Sequence, residues 1–405
     1  MNKIVVKILD QTIGDLFYDK IKNEYIFNYT KDTKDTKPIS LIMPLKNSSY
    51  IYKYSLHPIF DMNMPEGYLF ELLKQYISKE HGYIDDFLLF SYICSNIQSR
   101  LTFDSWIAPK DFISYDIDYI LQNDNQDTFS MLINTYLSKN AISGVQPKSL
   151  ALLKDKETLT TSEYIIKTWG DEYPQLALNE YFCLKAIQNT GVPIPDIKLS
   201  KNNKFLIVKR FNYDENTNTY LGFEEILTLM GKNKDKKYSG SYEQIAKIVY
   251  SVTTNKKDSM IELYKLIVMN YLLKNGDAHL KNFGILYDES LGNIYLSPAY
   301  DVVTTTAYYY KDKPALTLNG KKLWEGKKEL INFAQESCYI SKKEATNIYE
   351  LCINTLKNSI YELELYICKN KEFENIGLKI LDSWKISLDK KTIKEIPNEI
   401  TRNWT

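Results

Sequence analysis

The segment "LLKNGDAHLKNFGIL", Leu272–Leu286, places an aspartate, a histidine, a lysine and an asparagine between two apolar runs. Phosphoryl transfer needs a carboxylate beside the attacking hydroxyl, a divalent cation on the phosphates and positive charge nearby. Asp277 and Asn282 are separated by four residues, the spacing that favours a catalytic base followed by a metal ligand. A polar turn that ends a helix, with Asn275-Gly276 as its cap and Asp277 as a turn residue, is the alternative, and so short a pattern often occurs without a catalytic role.

Two more polar residues of this segment suit the same chemistry. Lys281 would bring positive charge to the transferred phosphoryl group, and His279 would orient the loop. His279 is one of only three histidines in the chain, and the other two are distant in sequence. The candidate catalytic residues are therefore Asp277, Lys281 and His279.

A second metal ligand is predicted in "LSPAYDVVTT". Asp301 follows a predicted strand there, 19 residues after Asn282. Magnesium prefers oxygen ligands and is usually held by one or two carboxylates together with phosphates. We therefore expect Asn282 and Asp301 to hold the metal, although a loop aspartate that caps the following segment is an alternative.

A lysine and a glutamate are predicted to pair near the middle of the chain. In the strand "SEYIIKTW", Lys167 shares one face with Ile165 and Trp169, because side chains alternate along a strand. In the helix that follows, Glu180 lies on the same stripe as leucines. A lysine on such a face is seldom left unpaired. Kinases use a strand lysine paired with a helix glutamate to hold phosphates, but a plain structural ion pair is the alternative.

Two further segments are weaker candidates for nucleotide binding. The loop "ISGVQPKS" precedes Lys167 where a turn over phosphates would lie, but it contains a single glycine. The strand "KFLIVKRF" would end at a hinge, where Phe211 is a candidate to meet adenine. An ordinary turn and an ordinary strand end are the alternatives.

The composition is that of a globular protein of two or three domains. The 405 residues carry 51 basic and 51 acidic side chains, so the overall charge does not indicate a nucleic-acid-binding face. Five scattered cysteines without a C-x-x-C pair favour a reducing compartment. No apolar run suits a signal peptide or a transmembrane helix, so we expect a cytoplasmic protein.

Hydrophobic periodicity divides the chain into regions of different character. Residues 1–55 are predicted to form a small antiparallel sheet that includes "KIVVKIL", "EYIFNYT" and "ISLIMPL". The segments "EGYLFELLKQYISKEH" and "DDFLLFSYICSNI" are typical of helices. A second β-rich stretch with one helix, which Gly191 ends, follows from about residue 141. After about residue 222 the chain is mostly helical, so the fold class is α+β.

In this order, "ISGVQPKSLALL", "EYIIKTW", "LALNEYFCLKAIQNTGVPIP", "VKRFN", "NGDAHLKNFGIL" and "LSPAYDVVTT" resemble the HipA family of bacterial serine/threonine kinases. The amino-terminal segments "VVKILDQTIGDL", "PISLIMPL" and "HPIFDMNMPEG" are similar to that family's accessory domain. The resemblance implies a two-lobed protein-kinase-like (HipA) fold. Its parts would be a β-rich accessory subdomain at 1–105, a β-rich kinase N-lobe region at 106–221 and a largely helical C-lobe at 222–405.

The resemblance also implies the activity and its cofactors. The chain would be a protein kinase toxin of a toxin–antitoxin pair, using ATP and Mg²⁺, with aminoacyl-tRNA synthetases among the family's substrates. A HipB-like helix-turn-helix antitoxin would be the partner that binds DNA, and no membrane would be involved. Ser143 and Ser149 are the candidate autophosphorylation sites. The expected cofactor-binding residues are Lys167, Glu180, Ser143, Gly144, Val145, Gln146, Lys148, Lys209 and Phe211.

Four other functions are compatible with parts of this pattern. A pseudokinase would have the same fold and bind nucleotide without transferring phosphate. A small-molecule phosphotransferase would use the same Asp277 and Asn282 to phosphorylate the hydroxyl of a drug or a sugar. A metal phosphohydrolase would need Asp277, His279 and Asp301 together with more ligands than the sequence offers. A purely structural partner in DNA repression would turn over no ATP.

Overall fold

The computed structural model describes residues 2–30, 37–65, 67–107, 115–125, 127–128, 131–132, 151–154, 161–168 and 173–388. The strands are β1 Lys3–Ile8, β2 Gln11–Asp19, β3 Glu24–Tyr29, β4 Tyr50–Lys53, β5 Leu101–Asp104, β6 Tyr115–Asp116, β7 Ala151–Lys154, β8 Thr161–Thr168, β9 Ile197–Leu199, β10 Phe205–Lys209, β11 Tyr213–Asp214, β12 Thr219–Tyr220, β13 Gly222–Glu225, β14 Gly284–Tyr287 and β15 Ile294–Leu296. The α-helices are α1 Pro58–Asp61, α2 Gly67–His81, α3 Asp86–Ile93, α4 Ile117–Gln122, α5 Leu176–Gln188, α6 Ile226–Leu229, α7 Tyr242–Val252, α8 Lys256–Leu272, α9 Lys327–Glu336, α10 Lys342–Lys369 and α11 Glu374–Ile386.

The chain divides into two compact units. The first unit comprises Met1–Ile166, Lys209–Lys237 and Gly284–Asn293. The second unit comprises Lys167–Val208, Tyr238–Phe283 and Ile294–Thr405. Each unit is thus assembled from segments that are distant in sequence, and the domain boundaries expected from the sequence remain a prediction.

An antiparallel sheet opens the first unit, with the strand order β4-β3-β2-β1-β5. Its strands alternate between buried and more exposed residues, as the pattern of "KIVVKI" in β1 illustrates. The buried face includes Val6, Leu16 and Phe27, none of which is exposed to solvent. Phe27 meets Phe60 of α1 with ring centroids 5.9 Å apart. The sheet and its neighbouring helices therefore share one apolar core.

The strand predicted at "ISLIMPL" is wrong, because residues 39–45 form turns and irregular structure. A buried carboxylate accounts for the difference. Glu224 accepts hydrogen bonds from the Ser40 hydroxyl at 2.6 Å and from the Leu41 N–H at 2.7 Å. The Ile42 N–H donates to the Ser40 Oγ at 3.2 Å. Side-chain oxygens therefore accept hydrogen bonds from backbone N–H groups that would otherwise pair with a neighbouring strand.

Glu224 also connects this turn to the β13–β14 pair. Its carboxylate accepts a third hydrogen bond from the Tyr287 hydroxyl at 2.9 Å, and burial raises the pKa of Glu224 above its ordinary value. Gly222 lies directly opposite Tyr287 in the ladder. A Cβ atom at position 222 would lie 2.0 Å from a Tyr287 ring carbon, so only glycine leaves room for the aromatic ring.

The second unit is built largely from helices around α8. Helices α7 and α10 pack against α8, and α10 also contacts α5, α9 and α11. Ten residues in the second half of α8, from Leu263 to Leu272, include nine buried side chains. No helix in the part of the chain that the structure describes combines the length and apolar character needed to cross a membrane.

A turn with a left-handed residue ends α8. Lys274 has a φ angle of 57°, and its N–H donates to the Tyr271 carbonyl at 3.3 Å. The N–H of Asn275 donates to the Asn270 carbonyl at 2.9 Å. These are the two hydrogen bonds of a Schellman motif, in which glycine usually takes the left-handed position. The sequence-based alternative placed the cap at Asn275-Gly276, two residues after the observed cap at Leu273-Lys274.

The Lys274 side chain lies against an aromatic ring. Its ammonium nitrogen is 5.0 Å from the centroid of Trp324. Burial lowers the pKa of Lys274 from 10.5 to about 8. Water therefore only partly solvates the charged ammonium group of Lys274. The cation–π contact with Trp324 offsets only part of this desolvation cost.

We expect Gly222→Ala to lower the free energy of unfolding by about 1–3 kcal/mol, because the new methyl group would displace the Tyr287 ring. Urea denaturation measures this loss. The same substitution in a Tyr287→Ala background should cost clearly less, since the clashing ring is gone. Equal losses in the two backgrounds would show that the ring contact does not determine the choice of glycine.

We expect Lys274→Met to raise the free energy of unfolding by about 1–2 kcal/mol at pH 7, because it removes a partly desolvated charge. Because burial lowers the folded-state pKa of Lys274 to about 8, the charged side chain carries its full desolvation cost below pH 8. That cost decreases as the pH rises from 8 towards 10.5. The advantage of the variant should therefore shrink between pH 7 and pH 9.5. Urea denaturation at both pH values tests this, with Lys257→Met at an exposed position of α8 as the control. A gain in stability of Lys274→Met that is the same at both pH values would contradict the lowered pKa of Lys274.

Candidate active site

The loop after α8 holds Asp277 through hydrogen bonds to side chains. The Asp277 N–H donates to the Asn275 Oδ1 at 3.1 Å, and the Asn275 amide nitrogen donates to the Asn270 Oδ1 at 2.6 Å. The Gly276 N–H donates to the Thr305 hydroxyl at 2.8 Å. These bonds fix the backbone of Asp277 relative to the buried end of the helix.

The Asp277 side chain reaches solvent. Its relative exposure is 48%, so an acceptor molecule could approach the carboxylate. Oδ1 accepts a hydrogen bond from the Tyr238 hydroxyl at 2.7 Å. The Nε2 atom of His279 lies 3.9 Å from the same oxygen.

Three other residues of the sequence motif take different positions around this loop. His279 is buried, and its N–H donates to the Asp277 carbonyl at 2.7 Å. Lys281 is half-buried, and its carbonyl accepts a hydrogen bond from the Tyr300 hydroxyl at 2.8 Å. Asn282 is buried, and its amide nitrogen donates to the Asp277 carbonyl at 2.9 Å.

Asn282 also connects the loop to the backbone of Asp301, and the shared metal-binding role expected for these two residues remains a prediction. Its amide nitrogen donates to the Asp301 carbonyl at 3.3 Å. Both of these side-chain hydrogen bonds of Asn282 use nitrogen, which leaves its oxygen for another partner. Asp301 has a φ angle of 54°, in the left-handed region. The Asn282 amide and the Asp301 backbone therefore lie together.

The ion pair predicted between Lys167 and Glu180 is present. Their charged atoms are 2.5 Å apart, and the Glu180 side chain is 6% exposed. The same ammonium group also forms an ion pair with Asp301, whose side chain is about half exposed. Tyr164 and Ile166 occupy the more buried face of β8, and Lys167 lies on the half-buried face. One lysine thus joins a buried carboxylate of α5 to the predicted metal ligand.

Hydrogen bonds between uncharged groups also connect α5 to the segment just after Asp301. The Asn179 amide nitrogen of α5 donates to the Thr304 carbonyl at 3.1 Å, and its Oδ1 accepts from the Thr304 N–H at 2.8 Å. The indole nitrogen of Trp384 donates to the Thr304 hydroxyl at 2.7 Å. Cys183 lies beside them, and burial raises the pKa of its thiol to about 12. This buried cluster fixes the segment just after Asp301 against α5.

The remaining predicted nucleotide-binding residues lie in the other compact unit or outside the described residues. Lys209 and Phe211 belong to the first compact unit. Lys209 forms an ion pair with Glu215, and the Phe211 ring packs against Phe223 with centroids 5.4 Å apart. The loop predicted to cover phosphates lies outside the described residues, namely Ser143, Gly144, Val145, Gln146, Lys148 and Ser149.

The donor atoms at Asn282 and Asp301 suit magnesium. An amide oxygen and a carboxylate are hard ligands, and magnesium takes its remaining ligands from water and phosphates. In the regions that the structure describes, no group of three or more histidine, cysteine or acidic residues could hold a metal ion. That finding gives no support to a phosphohydrolase site built from Asp277, His279 and Asp301.

Sequence reasoning did not identify Tyr238, Asn179 or Thr304. Tyr238 precedes Asp277 by 39 residues, and Asn179 is 125 residues from Thr304. Neither pair belongs to a motif with a fixed spacing. The one local signal was the position of Asn179 beside Glu180 on a helix predicted to be buried.

Comparison with known proteins gives matches over most of the chain. The family model described as HipA N-terminal domain matches residues 4–103. The model described as HipA-like C-terminal domain matches residues 140–360. A solved structure titled as a Shewanella oneidensis MR-1 complex of HipA, HipB and operator DNA has a TM-score of 0.69 at 16% identity. That likeness covers 95% of this chain and 97% of the other, and it shows the fold.

Curated relatives match a smaller part of the chain. A Haemophilus influenzae protein named "Putative kinase" is 32% identical over 184 residues, which is 42% of this chain and 53% of that protein. A Sinorhizobium fredii protein named "Putative kinase Y4dM" is 27% identical over 206 residues, or 45% of this chain and 49% of that protein. The chain spans about half the length of these relatives. From the two family models and the structural likeness, the chain belongs to the HipA family and has its kinase-like fold.

Proposed function

We propose that the chain is an ATP-dependent serine/threonine protein kinase and the toxin of a bacterial type II toxin–antitoxin system. The observation that carries this proposal is the placement of one ammonium group, Lys167, between Glu180 and Asp301. Asp277 and Asn282 belong to the same compact unit. A lysine paired with a helix glutamate, a base and two oxygen ligands are the parts that phosphoryl transfer uses.

In the proposed reaction, Asp277 is the general base. The acceptor hydroxyl would donate its proton to the Asp277 carboxylate while its oxygen forms a bond to the γ-phosphorus of ATP. The bond from that phosphorus to the β,γ-bridging oxygen would break, and ADP would leave. The half-exposed Asp277 side chain is accessible to a hydroxyl, as a general base must be.

Charged and polar side chains would take the other roles. Lys167 would contact the α- and β-phosphates, and Lys281 would place positive charge near the transferred group. Asn282 and Asp301 would hold magnesium, which supplies neutralisation of phosphate charge when it is bound. His279 would keep the loop in its orientation through its backbone hydrogen bond to Asp277.

Family membership supports finer proposals about regulation and partners. We infer that the loop containing Ser143 and Ser149 closes over ATP and is autophosphorylated there. A phosphoserine carries close to two negative charges at neutral pH, which would repel the phosphates of ATP. The structural relative forms a complex with HipB and DNA, and we propose a HipB-like antitoxin as the partner of this chain. The proposed target is a protein such as an aminoacyl-tRNA synthetase.

We expect Asp277→Asn to bind Mg-ATP with wild-type affinity and to transfer phosphate at least a hundredfold more slowly, because an amide cannot accept the proton. Intact mass after phosphatase treatment and incubation with Mg-ATP measures the transfer. The wild type should gain one phosphate, and peptide mapping should place it within residues 143–149.

Asp382→Asn, at an exposed position of α11, is the matched control and should behave as the wild type. Retained transfer by Asp277→Asn would remove Asp277 as the base. A wild type that never gains phosphate, alone or with candidate protein targets, would favour a pseudokinase. Expression of the wild type should slow bacterial growth, and equal toxicity of Asp277→Asn would contradict a kinase toxin.

We expect Lys167→Ala to weaken ATP binding by about ten- to a hundredfold, the loss typical of a hydrogen bond to a charged group. Isothermal titration calorimetry with Mg-ATP measures the dissociation constant. Lys185→Ala on the exposed side of α5 is the control. A dissociation constant unchanged in a folded Lys167→Ala protein would make the ion pair with Glu180 purely structural.

A further inference from the structure

A tyrosine from another part of the second unit holds the proposed catalytic base. The Tyr238 hydroxyl donates a hydrogen bond of 2.7 Å to the Asp277 Oδ1. Tyr238 lies four residues before the first residue of α7, and its relative exposure is 46%. It is therefore at the rim of the site and in direct contact with the carboxylate.

Packing restricts where the tyrosine hydroxyl can point. The Tyr238 ring meets the His279 ring edge to face, with centroids 5.1 Å apart and an interplanar angle of 78°. His279 is 6% exposed, so the tyrosine rests on a buried partner. Three residues later, Ser241 caps α7 in a reciprocal capping box with Gln244. The segment that carries Tyr238 is thus anchored by its ring contact and by the helix cap three residues later.

The two oxygens of Asp277 have different surroundings. Oδ1 accepts the tyrosine hydrogen bond and lies 3.9 Å from the His279 Nε2. The other carboxylate oxygen, Oδ2, takes part in neither of these two contacts. A general base needs one oxygen in reach of the proton that it removes. A carboxylate fixed through Oδ1 therefore presents Oδ2 in a defined direction.

We propose that Tyr238 is a positioning residue that orients the Asp277 carboxylate so that Oδ2 faces the acceptor hydroxyl. This inference rests on the proposed kinase activity. Without the tyrosine hydroxyl, the carboxylate would rotate about its terminal torsion, because such sp³–sp² torsions are broad. Poorly oriented reacting groups lower the rate of the chemical step more than they lower substrate binding.

The kinetic test removes only the hydroxyl. Tyr238→Phe should lower the maximal rate of autophosphorylation about tenfold and leave the half-saturating ATP concentration within about twofold. Tyr250→Phe, a tyrosine on α7 that packs against Tyr339 through its ring, is the control and should match the wild type. At position 238, 4-aminophenylalanine can donate a hydrogen bond and should restore the rate, whereas O-methyltyrosine cannot and should not.

Three outcomes of these experiments would overturn the proposal. An unchanged rate in Tyr238→Phe would show that the hydrogen bond does not matter to catalysis. A higher rate would mean that the tyrosine occupies the place of the acceptor and inhibits the enzyme. Phosphate mapped to Tyr238 itself would make it an acceptor and not a positioning residue.

A structural readout separates this inference from the proposed activity. Crystal structures of the wild type and of Tyr238→Phe should show the Asp277 carboxylate in one orientation in the wild type and in a rotated or mixed orientation in the variant. The same single orientation in both proteins would refute the inference, whether or not the wild type transfers phosphate. A wild type that transfers none would refute the proposed function and leave the effect on Asp277 to be judged from these structures.

Discussion

The carbonyl groups at the end of a buried helix need hydrogen-bond donors, and this constraint shapes the loop that carries Asp277. Lys274 adopts a left-handed conformation, so that its own N–H and that of Asn275 can donate hydrogen bonds back to α8. The Asn275 side chain then joins the Asn270 side chain to the Asp277 N–H. The element that ends the helix is therefore the same element that positions the proposed base.

A single positive charge organises the other half of the candidate site. Leaving Glu180 buried without a partner would cost several kcal/mol, roughly 3–5 by comparison with broken buried pairs, so Lys167 is needed beside it. The same lysine also pairs with the more exposed Asp301. The Asn179–Thr304 contact joins α5 to the same segment without using charge. If Lys167 turned towards a phosphate, that neutral contact would still hold the two elements together.

Local periodicity predicted the strand of Lys167, the helix of Glu180 and their ion pair, because each follows from a short pattern of buried residues. The strand pair predicted between Asn282 and Asp301 brings the Asn282 amide to the Asp301 backbone, whereas their role as metal ligands stays a prediction. The contacts of Tyr238 and Asn179 depend on residues brought together only by the tertiary fold, so no local pattern could predict them. The strand expected at "ISLIMPL" failed for the same reason, since the buried Glu224 satisfies its backbone from 183 residues away. The roles assigned to the site residues stay predictions.

The left-handed backbone of Asp301 restricts how this position could change in evolution. Most side chains pay about 1–2 kcal/mol to adopt that conformation, whereas aspartate, asparagine and glycine adopt it more readily. Glutamate would keep the charge and still strain the backbone. If a descendant lost the proposed kinase activity, asparagine or glycine would be expected at position 301. Either residue there would preserve the shape of the segment while removing its negative charge, and would record the loss of activity in an intact fold.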